Sequence, residues 1–178
     1  MEDDREIKFR LTFDGEKEPY FSDVTSLFYD LELLYDFFLV LFVKDYENIK
    51  FTYYFLFRNR GIKNEHKLRV TRISKDSPLA IELAMNSVLM STGVMTFYLE
   101  IIKWLNNREK SPLELEKLKL EIRILMQEAK LNDIEIENKL KQTQTIEMFN
   151  NLLKRLQKNR LKIKSVEMIS PRNNERNN

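Results

Sequence analysis

The sequence contains no cysteine. That removes disulfides, thiolate nucleophiles, cysteine-bound zinc and iron–sulfur ligation together. Glycine occurs three times, at positions 15, 61 and 93, and proline four times. With glycines only there, neither G-x-x-x-x-G-K-[ST] nor G-x-G-x-x-G can be written, so the familiar backbone cradles for ATP, GTP and dinucleotides are excluded. The single histidine, His66, stands between Glu65 and Lys67 in a polar stretch. It reads as a solvated loop residue, and one histidine without clustered carboxylates is poor metal equipment. No metal site and no cofactor is expected.

Other things are missing too. The N-terminal stretch MEDDREIKF is acidic and lacks a basic segment followed by an apolar one, so no secretory signal is expected and the chain reads as cytoplasmic. A membrane span needs about 20 predominantly apolar residues. The run at 26–43 carries Asp30, Glu32 and Asp36, each costly at a bilayer centre. The run at 86–105 carries only Glu100 and Lys103. It reads as a buried core helix, with membrane attachment as the weakest alternative. Heavy use of Lys, Asn, Ile, Leu and Phe is typical of AT-rich coding sequence and points to a bacterial or mobile-element source.

What is present is a charge-rich chain with a core. Of 178 residues, 43% are apolar and 33% charged, which separates it from disordered sequences. Scarce glycine and proline favour long regular elements. EIKFRLTF (6–13) alternates, with Ile7, Phe9, Leu11 and Phe13 on one face, and predicts a half-buried strand. Ser22 or Asp23 is the expected N-cap of a helix running to Val43, with Asp30, Glu32 and Asp36 largely off its apolar face. IKFTYYFLF (49–57) reads as a central strand. KLRVTRIS and PLAIELA flank KDSP and read as a hairpin or a bent strand. Residues 86–107 predict a second long helix.

Ser111 and Pro112 have the grammar of a helix start. Residues 113–142 follow as helix, and 145–157 as another. The segment 161–169 is open between helix and strand, because Leu161 and Ile163 alternate with lysines but the pattern breaks at Val166. The expected fold is α+β: a small antiparallel or mixed sheet of three to five strands covered by two long helices, with a helical C-terminal third. The expected organisation is a sheet domain over 1–110, a helical arm over 111–169 packed on or projecting from it, and a disordered tail over 170–178.

Catalytic candidates are weak. Ser77 lies in KDSP with no G-x-S-x-G elbow and no base nearby in sequence, so it reads as turn chemistry. Asp30, Glu32 and Asp36 read as a solvated stripe rather than an acid–base set. The chain is therefore expected not to be an enzyme.

Charge distribution is more telling. Residues 1–36 hold eleven acids and four bases, residues 44–75 three acids and nine bases, and residues 149–178 two acids and eight bases. The near-neutral total of +2 conceals this asymmetry. In the C-terminal third, Leu120, Ile124 and Leu131 lie off the seam made by Leu115, Leu118, Ile122 and Leu125, so one helix carries two apolar stripes and wants two neighbours. The primary expectation is a protein–protein interaction or self-assembly module. Its partner surface would use Leu120, Ile124, Leu131, Met148, Phe149, Leu152 and Leu153. The alternative is a nucleic-acid-binding regulator using Arg58, Arg60, Lys63 and Lys67 together with Lys154, Arg155, Lys158, Arg160, Lys162 and Lys164.

Overall fold

The computed structural model describes residues 6–14, 19–46, 49, 61–74, 79–86 and 143–169, with single helical positions at 95, 98, 99, 101, 102, 105, 116, 117, 120 and 124. The expected strand at 49–57, Ser77, the Ser111-Pro112 helix start and the 170–178 tail lie outside these residues, Ile49 apart.

Four strands form one antiparallel sheet: β1 (Ile7–Phe13), β2 (Arg69–Ser74), β3 (Ala80–Met85) and β4 (Ile163–Ile169). Their order is β2-β3-β1-β4. The fold class is α+β. In β1 the alternation works as its sequence suggests: Ile7, Phe9, Leu11 and Phe13 are buried, while Lys8 is exposed. Strands β2 and β3 pair directly, with Ser74 opposite Ala80 and Ile73 opposite Ile81, so KDSP joins the arms of a hairpin. The ladders continue past the strand ends, where Phe13 N–H donates to the Leu79 carbonyl and Asp14 N–H to the Lys162 carbonyl, both at 2.9 Å.

Strand β4 settles the open segment at 161–169. Its register against β1 shifts between Thr12 and Phe13, leaving Lys164 as an extra residue. Ile163 pairs with Phe13 and Val166 with Leu11, so both point to the core side despite their three-residue spacing. The broken alternation in the sequence is the signature of this bulge.

Helix α1 (Phe21–Phe42) supplies the middle of the core. It begins one residue before the expected caps. Tyr20 holds the N-cap position without a side-chain bond, and Ser22 and Asp23 sit inside the first turn. There Asp23 complements the positive end of the helix dipole. Thr25 Oγ1 donates back to the Phe21 carbonyl at 3.0 Å, and Ser26 Oγ to the Asp23 carbonyl at 3.1 Å.

From Leu31 to Phe42 nearly every described side chain of α1 is buried. A helix buried all round has neighbours on more than one flank. One is α2 (Thr143–Lys158), whose Phe149, Leu152, Leu153 and Leu156 recur at the spacing of a buried stripe. Phe149 stacks on Phe37 with ring centroids 4.8 Å apart. Tyr98 joins the sheet to α1, meeting Phe9, Tyr35 and Phe38 edge-on and donating its hydroxyl to the Leu31 carbonyl at 3.2 Å.

Asp30 and Asp36, expected on a solvated face, are instead buried. At Asp30, helix α2 covers a flank that an apolar-stripe reading leaves open to water, through Arg155. His66 is also buried rather than solvated, because a short 3-10 turn (Asn64–His66) folds it against Tyr46.

Candidate functional site

The partner-surface residues divide in two. Phe149, Leu152 and Leu153 belong to the chain's own core, and Met148 packs against it. Their apolar area is removed from water within the chain. Leu120 and Ile124 behave otherwise. Both are at helical positions, four residues apart in sequence, and 59% and 44% exposed. Leu131 lies outside the described residues.

The basic residues divide as well. Arg58 and Arg60 lie outside the described residues. Lys63 donates to Asp45 at 2.6 Å, just beyond the C-terminal end of α1, which holds the Asp45 carboxyl below its ordinary pKa through that hydrogen bond and its charge. Lys67 donates to the Asn64 side chain at 2.9 Å.

Arg155, near the C-terminal end of α2, donates to Asp30 in the middle of α1 and also lies 6.0 Å over the Tyr29 ring. Arg160 lies 5.5 Å over the Tyr20 ring, and Lys162 donates to the Gln157 carbonyl at 2.5 Å. Lys154, Lys158 and Lys164 are exposed. Asp45 lies beyond the C-terminal end of α1, and Asp30 lies on α1 roughly 18 Å before that end along the axis. The described bases therefore form two separate groups rather than one continuous track.

Sequence reasoning did not foresee the open face of the sheet. The core side takes Phe9, Leu11, Ile81 and Leu83, so the opposite side carries Lys8, Arg10, Glu82, Arg72 and Glu167. Register places Arg72 of β2 opposite Glu82 of β3, Glu82 opposite Arg10 of β1, and Arg10 opposite Glu167 of β4. One row thus crosses all four strands with alternating sign. At its centre Arg10 donates twice to one Glu82 oxygen, from Nε at 3.1 Å and Nη2 at 2.5 Å. The hydrogen bond to Glu82 and its charge, with a smaller contribution from Glu167, raise the Arg10 pKa above its ordinary value. Arg69 forms a second ion pair on this side, with Glu6. Arg10, Arg72, Ser74, Ala80 and Glu82 line a shallow depression there. The signal lay in the out-facing positions of each strand, but strand order is needed to assemble it.

A third cluster lies under the 61–67 segment. The Tyr46 hydroxyl sits 2.5 Å from His66 Nδ1 and accepts the Lys63 backbone N–H at 3.1 Å. Burial raises the Tyr46 pKa, which keeps the phenol protonated. The arrangement pins a loop to the end of α1. Among the described residues there is no group of three or more His, Asp or Glu able to hold a metal ion. No helix of the described residues is long and apolar enough to cross a membrane. No protein-family model matches the chain, and neither a curated protein nor a solved structure does.

Proposed function

We propose that this chain works by binding protein rather than by catalysis, and that a second copy of itself is its first partner. The observation behind this is the pair Leu120 and Ile124: two large apolar side chains at helical positions four residues apart that the chain's own core leaves exposed. A stripe at i and i+4 is what one helix offers another. Of the other described members of the C-terminal apolar set, Phe149, Leu152 and Leu153 are core and Met148 packs against it, which leaves Leu120 and Ile124 as its exposed described positions.

Binding of nucleic acid is the second reading. It rests on Lys154 and Lys158, exposed one turn apart on α2. It is placed second because Arg155, Arg160 and Lys162 each engage a partner within the chain.

Light scattering on a sizing column, with absorbance recorded at 260 and 280 nm at low and high salt, separates the two. A salt-resistant oligomer free of nucleic acid, reduced to monomer by Leu120→Asp with Ile124→Asp while the melting curve is retained, supports association. A monomer carrying nucleic acid that high salt removes reverses the order.

A further inference from the structure

The two edges of the sheet match each other. Among the described residues β2 and β4 have one strand neighbour each, so they are the edges at which this sheet can accept a further strand. They are of similar length, six and seven residues. Because every neighbouring pair in the sheet is antiparallel, β2 and β4 run in opposite directions. A second copy placed beside the first, its β2 against the first copy's β4, therefore extends the antiparallel sheet.

The side chains agree with that placement on both faces. On the open face the charge row ends in Arg72 at the β2 edge and Glu167 at the β4 edge. Arg72 forms no ion pair with another described residue. Joining the edges sets the cation opposite the anion and continues the alternation.

With Arg72 opposite Glu167, Ile73 falls opposite Val166. The β2 irregularity between Val70 and Arg72 then brings Val70 opposite Met168. All four of these side chains lie on the core side, where Val70, Ile73 and Met168 are about half exposed. These three are apolar side chains on the core side that the fold leaves half exposed, at both edges of the described sheet, while the core-side residues of β1 and β3 are buried.

We propose that copies of this chain associate edge to edge, β2 of one pairing with β4 of the next. Symmetric alternatives are disfavoured. Pairing β2 with β2 brings together strands whose only charges on the open face are Arg69 and Arg72, and pairing β4 with β4 sets Glu167 against its own copy. The contact is heterologous, so it leaves one free edge at each end and propagates. This shares with the association reading only its partner, a second copy. It uses a surface separate from Leu120 and Ile124.

Charge reversal tests it on the full chain. Arg72→Glu alone and Glu167→Arg alone each put like charges opposite one another at the joint. Each should weaken assembly about tenfold, read as the concentration at which the scattering mass begins to rise. Mixing the two variants in equal amounts restores opposite charges at every contact between unlike copies, so assembly should return. That recovery also shows both variants are folded.

Single variants that assemble like the parent, or a mixture no better than either variant alone, would overturn edge pairing and leave the Leu120–Ile124 surface standing. A parent chain that stays monomeric at every concentration would overturn both. Assembly of the parent that persists in Leu120→Asp with Ile124→Asp, yet falls in the single edge variants and recovers on mixing, would assign it to the edges alone.

Discussion

Arg155 reaches from the last turn of α2 to Asp30 in the middle of α1, 125 positions earlier, and donates to the same carboxylate oxygen from Nε at 3.0 Å and from Nη2 at 2.7 Å. The Asp30 side chain is 5% exposed and the Arg155 side chain 46%. Burial raises the Asp30 pKa above 3.8, and the hydrogen bonds from Arg155 only partly oppose it. The folded chain therefore takes up this proton at a higher pH than the unfolded chain does. The contribution of Asp30 to stability is greatest below its ordinary pKa and falls as pH rises through the raised one.

Removing the guanidinium exposes this balance. Arg155→Met leaves a buried carboxylate with less compensation. It should cost about 1–3 kcal/mol at pH 7, below the range for a fully buried pair because Arg155 is half solvated. Acidification protonates Asp30 and should close the gap. Adding Asp30→Asn should recover most of the loss at pH 7. Urea midpoints measured in steps from pH 7 down into the acid range check this. A deficit that stays equal across the whole series would mean that the carboxylate is not its source.

The same pair shows what could be read from the sequence and what could not. Period-two alternation located β1, and the apolar spacing located α1 to within two residues. Both signals are local. The burial of Asp30 depends on a helix more than a hundred residues away, and hydropathy along α1 has no means of recording that α2 covers its second flank. The same holds for Asn159, which joins the two helices by donating to the Asp23 carbonyl and to Ser26 Oγ at 3.0 Å each. The charge row across the sheet was hidden for a further reason. Its four residues come from four strands, and only the order β2-β3-β1-β4 makes them neighbours.

Tyr46→Phe probes the 61–67 segment. The change keeps the ring and deletes an oxygen that serves two groups, His66 Nδ1 and the Lys63 N–H. Leaving these unpaired should cost about 1–3 kcal/mol, since His66 is buried. Amide exchange should quicken around Lys63 while the sheet stays protected. Uniform quickening would place the hydroxyl in global rather than local stability.

Gly61 tests the same segment through its backbone. Its φ is 109°, and a Cβ there would meet Ile49 Cδ1 at 3.0 Å. Gly61→Ala adds conformational strain as well as this contact. It should lower stability by more than about 1 kcal/mol in a denaturant titration. Ile49→Ala in the same chain should recover only the steric share, because the positive φ remains.

Phe149 separates core from interface. It is stacked on Phe37, meets Phe38 edge-on and is 3% exposed. Phe149→Ala should therefore cost about 3–5 kcal/mol, the range for emptying a packed aromatic site. Any accompanying loss of association would follow the unfolded fraction. Ile124→Asp should do the reverse, lowering association with little change in the melt, because its side chain is 44% exposed. Both variants belong in one experiment, with scattering mass and thermal midpoint measured on the same samples. If Phe149→Ala dissociated the protein without lowering the midpoint, α2 would have to present a surface to a partner, and the packing of Phe149 against α1 would be a feature of the isolated chain only.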